Sequence, residues 1–501
     1  MNRTTHHHAS RRDRGYVLIA MMALIAALLA TGGAFMQWAS DEALQGETSR
    51  AGMQAYYVAQ AGVIEKGLTW LSSQQQGLLP SGETRLGNGT VPGIGRYFDV
   101  RVYPVFGSRD DNTNFSYDEK FRITAYGEVP TPYDGIEDRK VVRKAILYVQ
   151  VRSFVDYMYL TNWETSATFP NDVIRFFGRD TLWGRTHSND WIATQGDVNG
   201  LPVFYDIVST TKPSFRPGSP NPAGQFLGGP PRFNEPPVLL PELAEPIREN
   251  ADYFLEAEGH EWYCSINGTQ ATFYHWPEGT ELDTNNAQSV VVNCSPKVCV
   301  FVDGKMEMRG VLSGQGCRLT VGCSGDIRLI DNVMIQGTNM VSGALPPNCT
   351  SILGIVSEGW IWIGNTWKNG REGCSGPGGL QDRCHIVITA ALVSLRGSFQ
   401  LEQMNDTFDP YNSPITPDER GNIVMTGSIT QWRRGYVHRS NLGGTGYNKV
   451  YKYDQRFRTM RPPCFLGAVD DEGRVFFNIV QWGQAAEDVV DVAAQRRVRY
   501  N

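Results

Sequence analysis

The stretch from Gly15 to Ser40 contains no charged residue, and this feature constrains the chain more than any other. Its core reads YVLIAMMALIAALLATGGAFMQWA. A helix needs about 20 predominantly apolar residues to cross the hydrocarbon layer of a membrane. The run is therefore long enough to form a membrane-spanning helix close to the start of the chain.

The charges that flank this run predict its orientation. Basic residues precede it at Arg3, Arg11, Arg12 and Arg14, and acidic Asp41 follows it. The positive-inside rule then places the first residues in the cytoplasm and the bulk of the chain outside. A cleaved signal peptide and a plain anchor are the alternatives. Because signal peptides usually have a shorter apolar region, we expect the helix to be retained.

The helical pattern continues beyond the apolar run. Apolar residues recur at spacings of three and four, at Val58, Ala61, Ile64, Leu68 and Leu71. We therefore expect one transmembrane and stalk helix over residues 16–76, which at 1.5 Å per residue is roughly 90 Å long. Glycines are the positions at which such a helix bends most easily, here Gly32, Gly33, Gly46 and Gly52.

The segment Arg-Asp-Arg-Gly-Tyr, from Arg12 to Tyr16, stands directly before the apolar run and resembles a type IV prepilin leader. The stretch AYYVAQAGVIEKGLTWL is similar to the A-x-x-A-x-A-G-(V/L)-x-x-A stretch of PilX-type minor pilins. The resemblance implies that residues 1–15 are a leader, cut after Gly15, and that Tyr16 becomes the first residue. Family members usually carry Glu at the fifth mature position, whereas this chain has Ala20 there.

The pilin resemblance also implies a context for the protein. It implies a single-pass inner-membrane subunit that works with other pilin-like subunits and the pilus assembly machinery, in a pilus or on the cell surface. Because Ala20 has no carboxylate for a neighbour's charged amine, we expect a low-copy tip or initiating subunit. A component of a secretion pseudopilus and an anchor that never enters a filament are alternatives.

Segments with the alternation of β-strands follow the helix. They are Tyr97–Val105, Phe121–Val129 and the longer, β-branched Lys140–Val155. We expect residues 77–156 to form a small pilin-like antiparallel sheet against the helix. Residues 157–256 are predicted to be a connector with short strands and a helix, because much of this region is rich in Pro and Gly.

Short alternating strands separated by Gly, Asn and Asp fill the region 257–465, among them GDIRLIDNVMIQG, SILGIVSEGWIWIG and NIVMTGSITQW. This rhythm suits a sandwich, a barrel or a β-solenoid. Near-continuous apolar runs such as HIVITAALVSL favour stacked strands, so we expect a mainly β fold with a β-solenoid (β-helix) body. Residues 466–501 are expected to form a C-terminal strand and tail.

Several body segments, with WGRTHSND before them and RPPCF after them, resemble in order the bacterial pilin-like proteins that carry the uncharacterised DUF4900 domain. The resemblance covers most of the chain from Tyr157 to Phe465. It implies a pilus or surface protein and supplies no chemistry.

The cysteines are concentrated in one stretch. Eight of the nine lie there, at Cys264, Cys294, Cys299, Cys317, Cys323, Cys349, Cys374 and Cys384, and Cys464 stands apart. Their irregular spacing does not match the paired spacings of zinc sites. We expect disulfides in an oxidising compartment, with buried free thiols as the alternative, and no metal or cofactor.

The most catalytic-looking motif is the run from His187 to Asp190. Adjacent residues of a strand point to opposite faces and do not assemble a triad, so we expect a structural turn and no enzyme. An anchored polysaccharide-processing β-helix enzyme is the alternative, because carboxylates are present though scattered. Asp406 and Asp409 are candidate calcium ligands, although such loops are more often solvated turns.

Clustered tryptophans at Trp360, Trp362 and Trp367 are candidate binding residues. Exposed aromatic rings stack on sugars or fill partner interfaces, whereas buried ones belong to the core. A surface or polysaccharide ligand is therefore considered. The net charge of -6 and the lack of a basic, aromatic stripe argue against a nucleic-acid partner.

Overall fold

The computed structural model describes most of the chain. The described residues are 13–75, 78–105, 120–130, 140–169, 171–178, 180–198, 200–218, 224–369, 385–403, 419–439, 445–458, 460–469 and 472–484. They form a long N-terminal helix, a small antiparallel sheet and a large coiled sheet. The mainly β fold with an N-terminal helix, predicted from the sequence, is confirmed.

The N-terminal helix continues without a break to Ser72. It consists of α1 (Asp13–Gly62), a π-helical segment (Val63–Leu68) and α2 (Thr69–Ser72). The glycines expected to permit bending all lie inside α1, and the irregular turn falls instead at the π-helical segment. Side chains from Leu18 to Arg50 are almost all exposed, whereas Ala55, Val58 and others beyond Arg50 are buried.

The small sheet packs on the buried half of the helix. Its strands are β1 (Thr84–Val91), β2 (Gly95–Val105), β3 (Lys120–Pro130), β4 (Lys140–Val151) and β27 (Phe477–Gln484), paired antiparallel in the order β1-β2-β3-β4-β27. The chain therefore returns from its far end to complete the sheet that its N-terminal region begins. Helix and sheet share one hydrophobic core, which includes Ala59, Val63, Ile123 and Leu147.

Glycines allow the helix to lie unusually close to this sheet. At Gly127, in β3, an added Cβ would overlap the carbonyl oxygen of Ala55 and the amide nitrogen of Ala59. At Gly67, on the helix, an added Cβ would overlap the Ile123 side chain. At Gly127 the contact is therefore made by backbone against backbone, and only glycine fits at this point.

The other strands wind into one coiled sheet. In chain order they are β5 (Tyr159–Ser166), β6 (Thr181–Trp183), β7 (Thr186–Ser188), β8 (Val203–Phe204), β9 (Val208–Thr210), β10 (Gln225–Phe226), β11 (Tyr253–Glu256), β12 (His260–Gly268), β13 (Gln270–Pro277), β14 (Gln288–Asn293), β15 (Lys297–Asp303), β16 (Met306–Leu312), β17 (Arg318–Cys323), β18 (Ile327–Ile335), β19 (Ile352–Ser357), β20 (Ile361–Ile363), β21 (Ile386–Ile388), β22 (Ala391–Ser394), β23 (Phe399–Leu401), β24 (Glu419–Arg434), β25 (His438–Arg439) and β26 (Thr445–Tyr453). Most neighbours pair in parallel, as in a β-helix.

The coil has two long faces that the chain visits in turn. Along face one the spatial order is β11, β15, β17, β19, β22, β24, β5, β7, β9. Along face two the order is β12, β16, β18, then β20 and β21, then β23 and β24, then β26, β6, β8 and β10. A hairpin of β13 and β14 extends face two at its β12 end.

At one place, between β24 and β5, strands that are neighbours in space are far apart in the chain. We call this place the junction. Ile429 is paired with Tyr159 and Thr430 with Leu160 there. Residues 157–256, predicted from the sequence to be a connector with short strands and a helix, thus contribute β5 to β11 to the coil. The Pro- and Gly-rich chain after Phe226 runs back towards α3 (Glu245–Asn250) and β11, at the opposite end of the stack.

The cysteines that the structure describes lie in the body as free thiols, and the disulfides expected from the sequence stay a prediction. Cys264, Cys294, Cys299, Cys317, Cys323 and Cys349 are buried free thiols, and all but Cys349 pack in the hydrophobic core of the coil. By register, Cys264 neighbours Met308 and Cys323 neighbours Val302, so these two thiols occupy positions that apolar side chains fill on adjacent strands. Cys374 and Cys384 lie outside the described residues.

Candidate functional site

Among the described residues, one helix is long and apolar enough to cross a membrane. Its apolar part has no protein packed against it, so rings and aliphatic chains such as Tyr16, Leu18 and Ile25 face outward. Ala20 lies on this bare part of the helix. Such a helix is suited to act as a membrane span or as a signal anchor.

A short polar section separates the apolar part from the body. Residues from Asp41 to Arg50 are helical and, Leu44 apart, exposed, and the helix meets the small sheet from Ala51 onward. At 1.5 Å per residue this section is about 15 Å long. The helix is thus divided into an apolar part, a solvated spacer and a part that packs on the small sheet.

The run from His187 to Asp190 is buried and fully engaged in structural contacts. His187 Nδ1 lies 2.9 Å from Ser209 Oγ, and His187 Nε2 lies 3.1 Å from Asn189 Oδ1. Burial lowers the pKa of His187 to about 4, because the charged imidazolium is poorly solvated there. The imidazole is therefore neutral at ordinary pH and holds two strands of face one together.

The other groups of this run brace the backbone around them. Asn189 donates to the carbonyl oxygen of Val238 at 2.6 Å and accepts from the amide of Val238 at 2.9 Å, as a neighbouring strand would. Asp190 accepts from the amide of Glu164, and Ser188 accepts from the hydroxyl of Thr161 at 2.9 Å. The run thus ties the coil to the returning chain.

Two of the three candidate tryptophans form one stacked unit on face two. The rings of Trp360 and Trp362 have centroids 4.7 Å apart with an interplanar angle of 7°. Asp326 accepts from the Trp360 amide at 2.9 Å and from the Trp362 indole at 3.0 Å, which fixes the pair. Trp367 lies further along the same chain segment and is also half-buried.

Beside this unit, a charged cluster lies on the outer surface of the same face. Arg328 contacts Glu307 at 2.7 Å and Glu402 at 2.8 Å, and by strand register it is the neighbour of Trp362. The pKa of Arg328 is raised: burial opposes the charge, and the two carboxylates outweigh it. One cation faces two carboxylates, so the surface next to the tryptophans is polar and carries an excess of one negative formal charge.

A second aromatic pair was not found from the sequence. Trp183 and Tyr205 stack with centroids 3.6 Å apart, and they remain 42% and 38% exposed. Trp183 directly follows Leu182, and Tyr205 directly follows Phe204. Leu182, Phe204 and Phe226 are neighbours by register and form a row that points into the coil. These three inward residues are 22 positions apart, so an internal repeat of that length was the signal that sequence reasoning missed.

Charged residues at the junction were also missed. Glu164 pairs with Arg434 and Asp180 pairs with Lys449, each at 2.9 Å. Burial lowers the pKa of Lys449, and the nearby Asp180 carboxylate favours its charged form. No local pattern marks such residues, because each partner belongs to a distant part of the chain.

The described residues contain no group of three or more His, Cys, Asp or Glu side chains placed to hold a metal ion. The candidate calcium ligands Asp406 and Asp409 lie outside the described residues. Comparisons with protein-family models, with curated proteins and with solved structures give no match.

Proposed function

We propose that this protein is a non-enzymatic, membrane-anchored pilin-like subunit that displays a β-helix body outside the inner membrane. The observation that carries the proposal is the division of the N-terminal helix. Its first part is apolar and bare, and its last part packs on a small antiparallel sheet. A helix built in this way holds a folded body beside a membrane or beside other such helices.

The leader resemblance supports processing between Gly15 and Tyr16. Processing would create a charged amine at the start of an apolar helix, and an unpaired charge in such surroundings costs several kcal/mol. Ala20 has no carboxylate with which to neutralise the amine of a neighbouring subunit. A subunit at the tip of a pilus has no neighbour beyond it, so a tip or initiating role in assembly or adhesion fits this residue best.

The size of the body also supports a tip position. The coil carries a 22-stranded sheet in addition to the five-stranded sheet that packs on the helix. Repeated along a shaft, bodies of this size would crowd one another. The partners in this proposal are the membrane, other pilin-like subunits and the assembly machinery, and a secretion pseudopilus would use the same anchor.

The exposed aromatic pair Trp183 and Tyr205 favours a second element of the proposal, recognition of a surface or polysaccharide ligand by the displayed body. Rings that stay accessible on a rigid face can contact sugars or a partner surface. The alternative of a polysaccharide-processing enzyme needs free, converging carboxylates. Glu164 and Asp180 are instead buried and paired with cations.

Two measurements on the native protein test the proposal. N-terminal sequencing of protein isolated from membranes should begin at Tyr16, and a start at Met1 would contradict processing. Immunogold labelling of sheared filaments should place the label at filament ends. Label along the whole shaft would rule out a tip role, and absence of label from filaments would favour a plain anchor or a pseudopilus component.

A further inference from the structure

A short segment near the end of the body, residues 460–466, lies across the outside of face one. We call it the cover segment. It is fixed by side chains of β17: Thr320 Oγ1 donates to the carbonyl oxygen of Pro463 at 2.6 Å, and Arg318 donates to that of Arg461 at 2.5 Å. Cys464, in the middle of this segment, adopts φ +52°, a value that L-residues seldom adopt.

The cover segment lies over a straight row of outward-facing positions on neighbouring strands. By register, Cys299 of β15 is paired with Thr320 of β17, and Thr320 with Gly354 of β19. An added Cβ at Gly354 would lie 2.7 Å from Pro462 and 2.8 Å from Phe465. Three neighbouring strands thus present Cys299, a hydroxyl and a glycine to the underside of the segment that contains Cys464.

The two cysteines are also held by the same short piece of chain before β11. The Cys299 amide donates to Asp252 Oδ2 at 2.7 Å, and the Asp252 amide donates to the Cys299 carbonyl oxygen at 2.8 Å. The Cys464 thiol lies 3.5 Å from the carbonyl oxygen of Asn250. Cys299 and Cys464 thus lie against the same short stretch, residues 250–252, and each thiol shifts the pKa of the other.

We propose that Cys299 and Cys464 are a disulfide site that fastens the cover segment to face one of the coil. This pair differs from pairing within the Cys264–Cys384 cluster, since it joins that cluster to the cysteine that stands apart in the sequence. The two residues are separated by 165 positions. The inference does not depend on the pilin proposal, because it concerns the folded body alone.

A small disulfide can oxidise Cys299 and Cys464 to the proposed protein disulfide. Cys464 is the more accessible of the two, and hydrogen bonding from Cys299 lowers its pKa. As the thiolate, Cys464 attacks one sulfur of a small disulfide and releases one thiolate. Cys299 loses its proton to solvent and attacks the mixed disulfide at Cys464, releasing the second. Two protein thiols and one disulfide become one protein disulfide and two small thiols.

Other cysteines of the body make different contacts and supply internal controls. The Cys323 thiol lies 2.7 Å from the carbonyl oxygen of Gly304, and Cys349 Sγ lies 2.8 Å from Arg456 Nη1. Both are buried. They are expected to stay reduced under conditions that oxidise the Cys299 and Cys464 pair.

The test uses the full chain, reduced, freed of reductant and incubated in its folded state with oxidised glutathione. Remaining thiols are then alkylated in denaturant, and the unreduced digest is analysed by mass spectrometry. We expect a peptide pair linked through Cys299 and Cys464, with Cys323 alkylated. The linked pair should be absent from Cys464→Ser, in which Cys299 should be alkylated.

Three results would overturn the proposal. The first is the recovery of both Cys299 and Cys464 as alkylated thiols from protein that circular dichroism shows to be folded. The second is the recovery of each as a separate glutathione adduct, since this would mean that the second exchange step does not occur. The third is linkage of either cysteine to a different partner.

Discussion

Arg434 and Glu164 form an ion pair at 2.9 Å in which each side chain is 1% exposed, although 270 residues separate them in the chain. Arg434 also lies over the ring of Phe176, 3.6 Å from its centroid, and donates to the carbonyl oxygen of Ile174. The pair joins β24 to β5 at the junction. It is therefore where the late part of the body is fastened to the early part.

Removing one partner of this pair should strongly destabilise the body. Glu164→Gln leaves the Arg434 charge buried without its counter-ion, and such losses typically cost about 3–5 kcal/mol. The free energy of unfolding, measured by urea denaturation, checks this. The matched control is Glu278→Gln at the exposed pair with Lys305, where a change of about 0–1 kcal/mol is expected. Equal effects of the two variants would contradict the assignment.

The buried His187 predicts a pH dependence of stability. Its pKa is about 4 in the folded state, against roughly 6.5 in an unfolded chain. Between these values the unfolded state binds more protons, so stability rises with pH from about 4 to 6.5, by roughly 3 kcal/mol at most.

Thermal unfolding across this pH window, compared between the native chain and His187→Gln, tests that dependence. The variant should lose part of the slope, beyond any constant loss from its altered hydrogen bonds. A native slope in His187→Gln would show that another group titrates.

The close contact between helix and small sheet makes Gly127 a sensitive position. Gly127→Ala places a methyl group where the Ala55 carbonyl oxygen lies, and forced overpacking of this kind costs about 1–3 kcal/mol. The expected result is a lower melting temperature and easier proteolytic separation of the helix from the sheet. Gly483→Ala is the control, because its nearest neighbour across the same sheet, Ile146, is 3.7 Å away.

The apolar part of the helix predicts that the chain is found in the membrane fraction and not in the soluble fraction. Leu24→Arg together with Leu28→Arg adds about 2.5–3.5 kcal/mol of insertion cost per charge near the centre of a span. The double variant should move from the carbonate-resistant membrane fraction to the soluble fraction. Glu47→Arg, in the solvated spacer, should remain with the membranes. Membrane retention of the double variant would mean that another segment anchors the chain.

Local patterns were sufficient to predict the elements whose partners are close in sequence. The spacing of Val58 and Leu71 predicted a helix with a packed side, and both residues are buried against the small sheet. Alternation in Phe121–Val129 likewise predicted a strand, which is found as β3. In each case the periodicity alone reveals which side of the element meets the core.

Contacts between distant segments could not be predicted in this way. Nothing local to Tyr159 indicates that it neighbours Ile429, so the sequence predicted short strands in residues 157–256 but did not place them in the coil. The cysteine spacings likewise did not predict that Cys299 faces the cover segment while Cys323 contacts the Gly304 backbone. Register across the coil decides both questions, and a single sequence does not show register.

The junction has a consequence for the order in which the chain folds. Strands β5 to β10 are made early, yet their neighbours β24 and β26 are made last. The edge of β5 that pairs with β24 therefore stays unpaired until more than two hundred further residues have been made. Closing so long a loop carries an entropic cost. Folding should be slow and dominated by one late event, and an exported chain would need protection from aggregation until that event occurs.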